Sequence, residues 1–131
     1  MKTRRPGSFP RNRQAALVRI LEEMNEQGQF GTSVLVSADG LPLASVTSHF
    51  EAETTAAMVA LVKNVAHRAR AYIGLQQVDE VSIVDDDKMR LVCRPFTVGD
   101  EELVLTVVAP PYRTYRRLTN RAIREIKRIW F

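Results

Sequence analysis

Side chains able to donate protons, attack or coordinate are few in this sequence and poorly placed for joint work. Its 131 residues hold two histidines and one cysteine. A histidine can serve as general acid or base, or bind a metal through a ring nitrogen. His49 falls in the first turn of a helical stretch. His67 falls on the outward side of that stretch, near Lys63 and Arg70, and neither has a His or Cys at metal-ligand spacing. Cys93 alternates with Met89 and Leu91, the pattern of a buried apolar residue. A nucleophilic role would need a base beside it, and the sequence offers none. Asp85-Asp86-Asp87 has acids for a cation but lacks Asp-x-Asp-x-Asp-Gly spacing and a distal Glu, so it reads as a solvated turn. There is no Gly-x-x-x-x-Gly-Lys phosphate loop. The residue inventory therefore predicts no catalytic set, no metal and no cofactor.

Basic residues are the other candidate chemistry. Residues 1–13 carry Lys2, Arg4, Arg5, Arg11 and Arg13 and no acid, while Glu125 is the one acid among residues 113–131. There Arg113, Arg116, Arg117, Arg121, Arg124, Lys127 and Arg128 surround an apolar stripe that ends in Trp130-Phe131. A net charge of +4 thus conceals an acidic body with two basic ends. Such ends suit an anionic membrane, nucleic acid or an acidic partner. A helix packed on a sheet with a basic outer face would need no partner and accounts for the narrow, regular stripe.

The elements that would position these groups follow from the hydrophobic pattern. Length and 45% apolar content indicate one soluble globular domain. No apolar run approaches a membrane span, no secretory signal is visible, and a single cysteine fits a reducing compartment, so a cytoplasmic location is expected. Residues 1–9 read as a mobile basic arm, leaving 10–131 as the domain. Pro10 fits a first helical position. Ala16, Leu17, Ile20, Leu21 and Met24 then share one face as far as a stop at Gly28. VLVSADGLPLAS predicts a hairpin turning at Asp39-Gly40, with Pro42 marking its second strand as an edge strand.

Ser48-His49-Phe50-Glu51 has the form of a capping box for a long helix reaching Ile73 and closed by Gly74. Its main apolar face reads as Met58, Leu61, Val62, Val65, Ala69, Tyr72 and Ile73. Ala56, Val59 and Ala60 then point away from that face. Small residues on an outward face let a second helix approach closely, which predicts association. Three strands follow, over Val78–Val84, Lys88–Arg94 and Leu103–Ala109, and then the basic helix, with Tyr115, Leu118, Ala122, Ile126 and Ile129 inward. The short connections make the sheet mainly antiparallel.

The pattern G-x-x-x-S-V-L-V-S-A-D-G-L-P-L-A-S, the Ala-rich TAAMVALVKNVAHRA helix, and the V-D-E-V-S-I-V, M-R-L-V-C-R and L-V-L-T-V-V-A runs resemble Roadblock (dynein-light-chain type) domains. The resemblance covers about residues 12–130. It implies a three-layer α/β/α sandwich with a five-stranded sheet, profilin-like topology and element order α-β-β-α-β-β-β-α. It also implies a non-enzymatic adaptor, homodimeric or paired with a paralogous Roadblock domain, and in bacterial members often a regulator of small Ras-like GTPases. The long helices would pair, and so would the strand that follows each. In this chain that surface is Ala56, Val59, Ala60, Lys63 and His67, with Val81 and Ile83. Two other readings of the residues are a polyanion-binding module, for nucleic acid or an anionic membrane, and a small-molecule sensor.

Overall fold

Residues 11–47 and 52–130 are described in a computed structural model. The elements are α1 (Arg11–Gly28), β1 (Thr32–Ser37), β2 (Pro42–Thr47), α2 (Ala52–Ile73), β3 (Val81–Val84), β4 (Arg90–Val98), β5 (Glu101–Ala109) and α3 (Arg116–Ile129). The five strands form one sheet in the order β2-β1-β5-β4-β3, with every neighbouring pair antiparallel. This is the expected α/β architecture. The expected arm and the capping box at 48–51 lie outside the described residues.

Strand alternation assigns side chains to the two sheet faces. On one face Leu35, Val92, Phe96, Leu103, Leu105 and Val107 meet the apolar sides of α1 and α3, the larger core. On the other, Val34, Val36, Cys93 and Val104 meet Ala56 and Val59 of α2. Helices therefore cover both faces, which explains why β5 is apolar on both sides. Pro42 lies at an edge, as its missing N–H requires, and pairs opposite Val36 beside an irregularity in the register. Gly40 takes φ of 83° in the hairpin turn and donates to the Ser37 carbonyl at 3.0 Å. Asp85 holds the β3–β4 turn by accepting from the Met89 amide at 2.9 Å.

Helix α1 ends where expected, but Gly28 is not a left-handed cap. That conformation falls to Gln29, at φ of 55°, and the Phe30 amide closes the end on the Asn25 carbonyl at 3.0 Å. Gly28 is small because the Phe30 ring occupies the place where its Cβ would stand.

The face assigned to α2 is inverted relative to the expectation. Ala56 and Val59 are buried against the sheet, while Met58, Leu61, Val65, Tyr72 and Ile73 stand exposed. Flat, β-branched Val34, Val36 and Val104 accept a helix only at close range, and small side chains permit that range. Ala56 and Val59 do permit close approach, but to this chain's own sheet and not to a second helix. Ala60 and His67 are exposed, and Lys63 is half-buried and paired with Glu102 at 2.9 Å.

Gly28→Ala should lower stability by about 1–3 kcal/mol, since the ring or the helix end must move. Urea unfolding measures it. A gain of up to about 1 kcal/mol, as helix propensity alone would give, would contradict the packing.

Candidate functional site

The surface with the most unmet demand for contact lies along α2 and β3. Met58, Leu61, Val65 and Tyr72 recur at helical spacing on the outward flank of α2, and Leu61 and Tyr72 are 68% and 83% exposed. From Asn64 to Leu75 no described residue is buried. Half of this helix thus gains little from its own sheet.

Strand β3 is the second component. It pairs with β4 from Val81↔Cys93 to Val84↔Arg90, and no described strand pairs with its other side. Ile83 and Val84 are exposed, and Val81 is half-buried against the α2-side core. Beside it Ile83, Met89, Leu91 and Val108 line an apolar groove of about 440 Å³. Leu91 packs against the α2-side core, so the groove opens on the face of the sheet that carries α2. An unpaired edge next to an apolar groove is a template for another chain.

A polar clasp holds β3 in place, and its centre is Arg94. Strand β4 delivers this side chain to the α3 side of the sheet, where it is 4% exposed. A charge so buried needs partners. Its guanidinium donates to Thr119 Oγ1 at 2.7 Å, Asn120 Oδ1 at 2.8 Å, the Asp79 carbonyl at 3.0 Å and Asp79 Oδ1 at 3.3 Å. Arg116 meets Asp79 at 2.7 Å and Glu80 at 2.8 Å, and the Tyr115 hydroxyl donates to Glu80 at 2.7 Å. The Arg90 guanidinium lies 5.4 Å from the Tyr115 ring centre. Asp79 and Glu80 immediately precede β3, so the clasp ties the edge strand to the start of α3.

The charges act on one another. The hydrogen bond from Arg116 is the main influence on Asp79 and, with Arg94, holds its carboxyl below the ordinary range against partial burial. Burial alone would raise Glu80, but Tyr115 and Arg116 outweigh it and lower its pKa. Burial and the Glu80 bond push the Tyr115 phenol up. Burial likewise raises the Cys93 thiol, which lies 3.7 Å from Thr106 Oγ1 in the α2-side core, away from any base that would activate it.

Of the expected residues, Val81 and Ile83 lie on β3, Lys63 is drawn to Glu102 at the start of β5, His67 is exposed on the Lys63 flank of α2, and Ala56 and Val59 are buried against the sheet. Of the seven cations expected on the last helix, Arg113 precedes α3, and the other six do not form one free cluster. Arg116 is spent in the clasp, Arg121 pairs with Glu125 at 3.1 Å, and Lys127 stands 6.0 Å from the Phe96 ring. Among the described residues no three of His, Cys, Asp and Glu come together to hold a metal. No helix among them is long and apolar enough to cross a membrane. The Asp79–Glu80–Arg94 clasp was not foreseen from sequence, because its bonded partners lie 15 to 37 positions apart and local periodicity links none of them.

Acidification should loosen the clasp. Carboxylates whose pKa is depressed by folding stabilise the fold above their unfolded values, and that contribution is lost as pH falls through the folded values. Stability should therefore drop below pH ~4, and Arg116→Gln should flatten that dependence. Thermal melts across pH measure both. An acid limb unchanged by Arg116→Gln would contradict the assignment.

No protein-family model matches the sequence. No curated protein matches it either. Solved structures do. MglB from Myxococcus xanthus superposes with a TM-score of 0.80 at 14% identity, covering 94% of this chain and 92% of that one. An MglB with a tetrameric arrangement gives 0.74 at 19%, covering 93% and 92%. The Roadblock/LC7 domain from Streptomyces avermitilis gives 0.65 at 19%, covering 94% and 96%. Five antiparallel strands in this order, with α2 on one face and α1 and α3 on the other, are the Roadblock fold, and it is the fold of this chain.

Proposed function

We infer that this protein is a non-enzymatic adaptor that works as a homodimer and regulates a small Ras-like GTPase. The observation that carries the reading is continuity: the exposed apolar flank of α2, the groove beside β3 and the open edge of β3 lie together on one side of the molecule. A second copy satisfies all three at once. Antiparallel pairing of two β3 strands continues the sheet from five strands to ten. It also leaves both α2 helices on the same face, where Met58, Leu61 and Val65 of each are within reach of the other. The interface is isologous, so every contact is made twice. Of the residues expected at this surface, Val81 and Ile83 belong to the proposed interface, and Met58, Leu61 and Val65 stand there in place of Ala56 and Val59. Such a dimer acts by shape and charge, which suits a residue inventory without a catalytic constellation. The GTPase follows from the resemblance to Roadblock domains, whose bacterial members often work with such partners.

Light scattering should give a mass near twice 14.8 kDa. Val65→Glu should shift it to one chain while the protein stays folded, because that side chain is exposed in the single chain. Val59→Glu should instead unfold it, because it would bury a charge against the sheet. A wild-type mass of one chain, or a Val65→Glu protein that still pairs, would contradict the dimer. Retention of a small Ras-like GTPase from native lysate should depend on a GTP analogue, and equal retention with GDP would contradict the regulatory role.

A further inference from the structure

We propose that the outer face of α3 is a track for the phosphate backbone of double-stranded nucleic acid. Arg117, Arg121, Arg124 and Arg128 follow one another at steps of four, three and four, a single column about 16 Å long. All four are exposed, and the column lies opposite the buried Leu118, Ala122 and Ile126. Arg117, Arg124 and Arg128 form no ion pair among the described residues, although Arg128 shares a groove with Glu23 and Glu125, and Arg121 pairs with Glu125. Like charges at these spacings repel one another. A face needed only for solubility would mix signs. Every member of the column is arginine, whose planar fork fits phosphate oxygens in pairs.

The neighbouring helix decides the shape of the partner. Helix α1 runs antiparallel beside α3, with Gln27 near Leu118 and Arg19 near Arg128. Its Glu23 lines the grooves between the two helices with Arg121 and Arg128, and Glu22 and Glu26 are exposed on α1. A flat anionic membrane would press on both helices and meet all three acids. A rod along α3 meets Glu23 at most. The column carries no aromatic ring on which the bases of a single strand could stack, so the phosphates of a duplex, exposed without unstacking, are the better match. The side chains reach no base edge in this arrangement, and binding is independent of base sequence. The face lies on the opposite side of the sheet from α2, so the proposal stands apart from the dimer.

Fluorescence anisotropy with a labelled 24-base-pair DNA duplex tests it. The full chain should bind at 50 mM salt and lose roughly a hundredfold in affinity by 200 mM, a logarithmic slope of about −3 to −4. R117Q/R124Q/R128Q should bind at least tenfold more weakly and flatten the slope by about 3. Circular dichroism should show it folded and light scattering an unaltered mass. If that variant melts, R124Q alone carries the test, with a slope change of about 1. No binding of the wild type at 50 mM salt would overturn the proposal, as would affinity and slope indifferent to the substitutions. Capture by phosphatidylserine vesicles through these arginines without duplex binding would overturn it in favour of lipid phosphate, and tighter binding to the single strand would overturn the duplex.

Discussion

The packing of Ala56 and Val59 against Val34, Val36 and Val104 is the constraint from which the rest of this molecule follows. A helix on a flat, β-branched sheet must present small side chains to approach it, and α2 has one such side. Its larger apolar residues are thereby turned outward. The same choice of face that completes the single chain leaves Met58, Leu61, Val65 and Tyr72 in water. Burying apolar surface returns about 25 cal/mol per Å², so a surface of this kind favours a second molecule. The α2-side core and the exposed apolar flank are two sides of one helix.

The open edge of β3 is useful only if it is held still. A four-residue strand hydrogen-bonded on one side has little intrinsic stability. Arg94 supplies the anchor from beneath, through Asp79, while Arg116 and Tyr115 grip Glu80 from the start of α3. The basic helix therefore plays two parts: its first turn fixes the edge strand, and its outer column faces solvent with charge to spare.

Much of the fold was legible in the sequence, for specific reasons. Asp39-Gly40 marked the hairpin and Pro42 the sheet edge. Both depend on local rules of turn geometry and hydrogen bonding. The orientation of α2 was not legible, because both of its flanks are apolar and periodicity alone does not say which one meets the sheet. Size would have decided it, had Ala56 and Val59 been weighed against the β-branched strands they cover. The burial of Arg94 was not legible either, because alternation tells which face of a strand a residue takes and not how deeply that face is covered. The Arg94 partners Asp79, Thr119 and Asn120 come together only in three dimensions.

Amide hydrogen exchange at β3 reads the edge itself. Outward amides within 81–84, together with those of the exposed half of α2, should be protected at high protein concentration and lose that protection on dilution through the association midpoint. Exchange at β3 that is fast and independent of concentration would contradict pairing at that edge.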